Sequence, residues 1–391
     1  MTRPGVRASL PPLLIKKAMF TAPDHLRTWA EIDLAALREN LAFIRNHVGP
    51  APEILAVVKA NGYGHGAREM VKALAHETAI FGVANVNEAR EVSAAANGRD
   101  IMLLSPCLPG ERHEAVKENY IVTASSAAEA NEYAALGETR LNFKIDTGMG
   151  RVGCWWEEAP EEARRVAEIP GISLHSISTH LPCADDDLEF TSNQLDHFFQ
   201  LSAALRRLLP AVEVHSLNSA GILAFQNHSA DIVRPGLILY GVSPVEGYSD
   251  ALKPVLSWKA RVALIKNLPA GTGVSYGRTF ITPSPLRTAV IAVGYADGFP
   301  RQSSGRGASV LIHGCRCPVI GRVTMDQIVV DISAVDGVKD GDEAVLIGRQ
   351  GEHVISANDL AEQSGTIAWD VLTGIGRRVE RFYSGAAANG L

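Results

Sequence analysis

The hydrophobic pattern divides the chain in two. Thr28-Trp29-Ala30-Glu31-Ile32-Asp33-Leu34 alternates, which predicts a short strand, and Leu37, Leu41, Phe43 and Ile44 then follow at helical spacing. The apolar run 54–58 comes next, ended by Lys59 and a glycine-punctuated turn, Asn61-Gly62-Tyr63-Gly64-His65-Gly66. An amphipathic helix over 66–76 leads to the run 80–84, and a charged helix starting near Asn87 leads to the run 101–104. Further runs fall at 120–122, 141–145, 174–178, 212–214 and 232–233. Strands alternating with helices this often predict parallel βαβ units, and about eight of them in roughly 220 residues predict a closed barrel rather than an open sheet.

Around Gly241-Val242-Ser243-Pro244 the pattern changes. Short β-like runs at 256–265, 287–293, 309–312, 328–332 and 344–347 are separated by Gly and Pro turns, with one late helix near 357–363. The expected fold class is α/β: an N-terminal (β/α)8 TIM-type barrel over residues 28–252, then a C-terminal β-rich domain over 253–391. Residues 1–27 are expected to be a flexible N-terminal extension.

Composition narrows the partners. With 391 residues, 46% of them hydrophobic and 20% charged, the chain can bury two proper cores. A net charge of −6 and the lack of a long basic run argue against nucleic acid or an anionic membrane, and favour a small molecule. The longest apolar run within 1–27 is 13–15, too short for a signal-peptide core, and no segment is long enough to span a membrane. Five cysteines, an odd number, suit a reducing compartment, so a cytoplasmic location is expected.

On the barrel reading, the residues that end each apolar run share one mouth: Lys59, then Lys144, Asp146 and Arg151, then His180, then His215, Asn218 and Ser219, then Arg234. A lone strand-end lysine is usually a solvated side chain. So many basic and hydrogen-bonding groups at one geometric position instead predict a site for an anionic cofactor. A lysine amine is a nucleophile towards aldehydes when neighbouring cations or a dry pocket lower its pKa. Gly236 and Leu237, with the Asn218-Ser219 turn, could offer N–H groups and a hydroxyl to a phosphate, as barrel phosphate sites do.

These motifs together resemble the alanine racemase family of pyridoxal-phosphate enzymes. The likeness runs from about Trp29 to Arg381 and rests on 56–66, Lys144-Ile145-Asp146-Thr147-Gly148-Met149-Gly150-Arg151, Arg234-Pro235-Gly236, Val274-Ser275-Tyr276-Gly277, Gly294-Tyr295-Ala296-Asp297-Gly298 and Met325-Asp326. The resemblance implies that Lys59 holds the aldehyde of pyridoxal 5'-phosphate as a Schiff base. It also implies that Lys59 and Tyr276 are acid/base groups on opposite faces of the substrate's Cα, a two-base mechanism interconverting L- and D-alanine. In the family the tyrosine comes from the neighbouring subunit, so a homodimer with a shared active site is implied. A free phenol titrates near ~10, so Tyr276 needs cations or hydrogen bonds that favour phenolate.

By the same resemblance Arg234 faces the pyridine nitrogen. A donor-only guanidinium leaves that nitrogen unprotonated, which suits racemisation over decarboxylation. His180 packs near the ring, and Arg151 contacts the cofactor's phenolic oxygen and the substrate carboxylate. Lys144 matches a lysine that is carbamylated in many relatives, where it would orient Arg151. Tyr63, Asn218, Ser219, Gly236 and Leu237 are the phosphate candidates, and Tyr295 and Met325 line the substrate entrance. One position departs: Arg377 stands where some relatives carry a tyrosine that contacts phosphate and narrows the pocket, and an arginine there could still serve the phosphate. That leaves a broader or serine-directed racemase as an alternative, beside a non-enzymatic pyridoxal-phosphate carrier. A barrel decarboxylase of basic amino acids is disfavoured by Arg234. The D-alanine would supply peptidoglycan or arise in alanine catabolism.

Three further features invite readings. Alternation through His313-Gly314-Cys315-Arg316-Cys317 would put three metal-capable side chains on one strand face, but no second ligand cluster stands out, so no metal is expected. Asp185-Asp186-Asp187 is expected to start a helix. Trp155-Trp156 fits either packing or a pocket rim.

Overall fold

The structure, a computed structural model, describes residues 23, 25–225 and 230–385. Most of the expected N-terminal extension lies outside the described residues; within them, Leu26 is already buried against Trp29.

The alternating half forms a closed parallel barrel. Its strands are β2 (Glu53–Val57), β3 (Ile80–Val83), β4 (Asp100–Leu103), β5 (Val122–Ala124), β6 (Thr139–Asp146), β8 (Ile172–Ser178), β9 (Glu213–His215) and β10 (Ile232–Val233). The extra strand β7 (Cys154–Trp155) pairs with the end of β6. Neighbours run β10-β2-β3-β4 and β5-β6-β8-β9. A bridge between Met102 and Ile121 closes one seam, and the N–H of Asp231 and of Arg234, donating to the carbonyls of Val214 and Leu217, closes the other. Both faces of such strands are covered, which is why Ile54, Leu55, Ala56 and Val57 read as one continuous apolar run. The outer helices face the strands with one stripe only: Ala67–Leu74 buries Ala67, Met70, Val71 and Leu74.

The second half is β-rich. Following β1 (Thr28–Asp33), its strands are β11 (Leu256–Leu268), β12 (Gly273–Val274), β13 (Phe280–Ile281), β14 (Leu286–Ile291), β15 (Ser309–Ile312), β16 (Cys315–Ile320), β17 (Ile328–Asp331), β18 (Glu343–Gln350), β19 (His353–Ile355) and β20 (Glu380–Ser384). Because β11 pairs with both β14 and β18, the sheet curls round on itself through β15, β16 and β17. The expected late helix is Ala357–Ser364, capped by Ser356, and a second helix, Ala368–Gly374, follows it.

Two expectations are corrected. Residues 28–33 were assigned to the barrel, but β1 lies in the C-terminal sheet, antiparallel to β11 and parallel to β20. Eight strands already close the barrel, and β1 buries Trp29, Ala30 and Ile32 completely where it lies. Nor do His313, Cys315 and Cys317 share a strand face. His313 (φ 50) and Gly314 (φ 76) form the two-residue turn between β15 and β16, the conformation that favours positive φ at both positions. His313 Nε2 faces Asp342 at 2.9 Å, while Cys317 is buried and Cys315 exposed. As expected, Asp187 caps a helix, Leu188–Leu208, by accepting the N–H of Phe190. The tryptophans divide: Trp155 is exposed and Trp156 stacks on His197 at 5.4 Å.

No helix among the described residues is long and apolar enough to cross a membrane.

Candidate active site

Lys59 leaves the carboxyl end of β2 and opens a turn of unusual hand. Ala60, Asn61, Gly62 and Tyr63 all take positive φ, between 51° and 60°. Only glycine, and to a lesser degree asparagine, adopts this region without cost. The turn is therefore fastened. Gly62 N–H donates to Val58 O at 2.8 Å, and Asn61 Oδ1 accepts the N–H of Ala67 at the start of the next helix. The Glu88 carboxylate accepts the N–H of Ala60 at 2.8 Å and of Ala84 at 2.7 Å, joining the ends of β2 and β3. Beneath the turn, buried His65 directs Nδ1 at the carbonyls of Tyr63 and Gly62, and burial lowers its pKa to about 4.

The cations expected at the mouth do meet there. Burial, then Arg151 and Arg234, lower the pKa of Lys59, with Glu88 opposing. That raises the fraction of unprotonated, nucleophilic amine near neutrality. Lys144 on β6 is pushed well below its ordinary value by burial, then by Arg234 and Arg151, against Asp146. Arg151 sits on a loop folded around one carboxylate: Asp146 accepts the N–H groups of Gly148, Met149 and Gly150 on Oδ1 and of Arg151 on Oδ2, at 2.9 to 3.1 Å. Burial alone would raise the Asp146 pKa, but these bonds outweigh it and the net shift is downward.

Arg234 is buried and its orientation is fixed. Nη2 donates to Thr179 O at 2.8 Å and Ser216 O at 2.9 Å and approaches His180 Nδ1 at 3.3 Å, while Nη1 lies 2.9 Å from His215 Nδ1. Arginine cannot accept, so His215 must carry its proton on Nε2, which faces Asn142 Oδ1 at 3.1 Å. Asn142 Nδ2 donates to Thr123 Oγ1, which donates to Leu103 O, so the chain of bonds has one polarity across the barrel. Burial and then Arg234 hold His180 and His215 well below the usual imidazole range, so both are neutral. Burial brings Arg234 down only to about 10, and it remains a cation at neutral pH. Both Nη groups are thus engaged by protein acceptors.

The residues that could hold a phosphate lie together. Ser219 Oγ accepts the Gly236 N–H at 2.9 Å and lies 3.5 Å from the N–H of Ile238, in the short helix Leu237–Tyr240. A Cβ on residue 236 would fall 2.6 Å from the Tyr63 hydroxyl, so glycine lets hydroxyl and amide converge. Asn218 caps the helix Ser219–Ala224 and anchors to Leu181 O. Donors of this kind suit a phosphate monoester.

The β-domain candidates form a separate group. Tyr276 lies between Ser275 (φ 61) and Gly277 (φ 72), and is 72% exposed. Tyr295 and Met325 come together because the N–H of Tyr295 and of Ala296 donate to Thr324 O and Met325 O at 3.0 Å. No hydrogen bond, ion pair or ring contact among the described residues joins Tyr276, Tyr295 or Met325 to Lys59 or Arg234. Arg377 is exposed. Glu88, Asn142 and Arg381 escaped the sequence reading: an acid on an amphipathic helix looks solvated, and mid-strand polar residues look like decoration.

Comparison with known proteins matches both halves of the chain. Residues 32–244 match the family described as alanine racemase, N-terminal domain, and residues 255–383 match alanine racemase, C-terminal domain. The alanine racemase of Symbiobacterium thermophilum is 40% identical over 92% of this chain and 98% of its own, and that of Methylacidiphilum infernorum 38% over 92% and 94%. Among solved structures, alanine racemase from Clostridium difficile 630 superposes with a TM-score of 0.86 at 32% identity, covering 92% of this chain and 96% of that one. Alanine racemase from Bartonella henselae, titled as having covalently bound pyridoxal phosphate, gives 0.83 at 29%, covering 92% and 99%.

Proposed function

The chain belongs to the alanine racemase family of pyridoxal-phosphate-dependent isomerases, and from that premise we propose that it interconverts L- and D-alanine with Lys59 and Tyr276 as its two acid/base groups. When bound, pyridoxal 5'-phosphate supplies an aldehyde for Lys59 and a ring that spreads the charge left at the substrate's Cα. Each remaining task falls to the chain's own residues. Lys59, its ammonium form disfavoured by burial and by Arg151, moves a proton on one face of Cα. Tyr276 moves a proton on the other, which is what inverts the centre; such a group is worth on the order of 10²- to 10⁴-fold in rate. Arg151 holds the substrate carboxylate, and Tyr63, Ser219, Gly236 and Leu237 hold the phosphate with Asn218 fixing their helix. His180 and Arg234 confine the ring, and Tyr295 and Met325 border the entrance.

The observation that carries this reading is Arg234. It is a fixed, donor-only cation whose two Nη groups are spent on protein acceptors, so it offers no acidic partner to a ring nitrogen. Burial and the neighbouring arginines disfavour the Lys144 cation, which favours the amine form that adds CO₂ with loss of a proton, and the resulting carbamate would steer Arg151. The exposure of Tyr276 supports a homodimer in which each protomer lends its tyrosine to the other's lysine. Five free thiols support a reducing, cytoplasmic setting. D-Alanine for peptidoglycan and alanine catabolism are both open to such an enzyme.

The test follows loss of optical activity from L-alanine by circular dichroism, beside L-serine, with borohydride reduction and peptide mapping to locate the cofactor. Attachment at Lys59, alanine racemised fastest and a dead Tyr276→Phe variant are expected. Serine racemised as fast as alanine would favour the broader racemase, for which the exposed Arg377, without a hydrogen bond or ion pair among the described residues, is the specific pointer. Bound cofactor with no racemisation at all would leave only a carrier.

A further inference from the structure

The last strand of the chain reaches back to the lysine turn through one side chain. Arg381, on β20, is mostly buried and donates to four backbone carbonyls: Nε to Gly64 O at 3.1 Å, Nη1 to Gly376 O and Val379 O at 2.6 Å each, and Nη2 to Ile375 O at 2.7 Å. All four acceptors are neutral, and no carboxylate among the described residues pairs with it. Surface arginines seldom spend a whole guanidinium on main-chain oxygens, since the planar fork must be met from several directions at once.

What the fork joins gives it meaning. Gly64 ends the positive-φ turn that begins at Lys59 and carries Tyr63, and the carbonyls of Ile375, Gly376 and Val379 bracket Arg377. Gly376 N–H in turn donates to Asp297 O at 2.9 Å, and Asp297 Oδ2 accepts the Gly294 N–H, so the loop bearing Tyr295 is part of the same body. Contact here is direct: a Cβ on residue 64 would lie 2.2 Å from Leu372 O. A turn held in a costly conformation persists only when its surroundings over-determine it. Glu88 fastens its first residue from the barrel side, and Arg381 fastens its last from the β domain.

We propose that Arg381 is a positioning residue for the reaction proposed above: it clamps the Lys59–Gly64 turn to the loop carrying Arg377, so that the barrel and β-domain walls of one pocket stay in register. The inference rests on the racemase reading and adds the residue that joins its two halves. It touches neither substrate nor reacting atoms, and works through the placement of Lys59 and Tyr63.

The experiment compares Arg381→Lys, which keeps the charge and loses the fork, and Arg381→Met with the unaltered full-length protein. Three readouts are taken: equilibrium binding of pyridoxal phosphate followed by absorbance, amide hydrogen exchange resolved by peptide, and steady-state kinetics. Both variants should bind the cofactor at least about tenfold more weakly and lose exchange protection selectively over 59–66, with 139–146 unchanged. Misplacing Lys59 should cost up to about 10²-fold in kcat, with a smaller change in KM. Wild-type cofactor affinity and wild-type exchange over 59–66 in either variant would overturn the proposal, as would lowered thermal stability with exchange rising evenly along the chain. Should Arg381→Met fail to fold, Arg381→Lys decides by the same readouts. Failure of the racemase reading is seen separately, as an unaltered protein that binds the cofactor on Lys59 and racemises nothing.

Discussion

The lysine turn and the tyrosine loop are built from the same unusual backbone and end in opposite circumstances. Residues 60–63 take positive φ, and so do 275, 277 and 278. Around Lys59 every strained residue is answered from within the chain, by Val58, Asn61, Glu88, His65 and Arg381. Around Tyr276 little more than the Ser275 hydroxyl, donating to Arg322 O at 2.6 Å, holds the loop from outside it, and the phenol stands in solvent. The contrast is the one the proposed shared site calls for: the lysine turn is fastened within its own chain, whereas the tyrosine loop stands open to a partner.

The sharpest way to break that comparison is to divide the two bases between chains. Lys59→Ala and Tyr276→Phe should each lower racemisation by on the order of 10²- to 10⁴-fold or more. Co-refolded in equal amounts, the two dead variants should recover about a quarter of wild-type activity, because half of randomly paired dimers carry one intact shared site of two. No recovery would mean that lysine and tyrosine act within one chain.

A smaller effect tests the completeness of the lysine side. In Asp146→Asn the amide can still accept on one oxygen but meets the Arg151 N–H with a donor of its own. The Arg151 loop should loosen, and kcat/KM for alanine should fall about tenfold, mostly through KM. An unchanged KM would detach Arg151 from the substrate carboxylate.

Acid should undo the same region. His65 titrates near 6.5 when unfolded and about 4 when folded, so folding favours its neutral form. Its contribution is complete above pH ~6.5 and is lost as pH falls towards about 4, worth on the order of 3 kcal/mol at most. His180 and His215 act in the same direction. Urea unfolding at pH 7 and pH 5 should show stability falling, with a shallower slope in His65→Gln; an equal slope would contradict a neutral buried His65.

The least effect is expected on the tyrosine side. Ser275→Gly removes a non-glycine residue at φ 61 and, with it, the hydroxyl that restrains the loop. Stability should change by less than about 1 kcal/mol, while kcat falls severalfold as Tyr276 becomes less well aimed. A variant as active as wild type would mean that the loop is held by its partner surface alone.

Much of this was legible in the sequence because local chemistry and global fold agree there. Barrel strands such as β2 and β3 are short apolar runs bounded by turn residues, and the polar groups at the strand ends include the cluster around Arg234. What stayed hidden depends on contacts far apart in the chain. Nothing within residues 28–33 says that they pair with 256–260 and 380–384. Glu380-Arg381-Phe382-Tyr383-Ser384 is too polar to announce a strand, so neither β20 nor the fork of Arg381 could be read. His313-Gly314 shows the reverse failure, a turn dipeptide masked by the cysteines after it.

The seating of β1 also sets an order of events during synthesis. The first described strand to leave the ribosome takes its place between one strand from the middle of the chain and the last strand before its end. Pairings of such sequence separation form late, because loop closure must be met before the contacts reward it. The barrel strands lie closer together along the chain, whereas the bond from Arg381 to the lysine turn needs β20. A chain that has not yet added β20 thus carries Lys59 on a turn fastened from the barrel side alone.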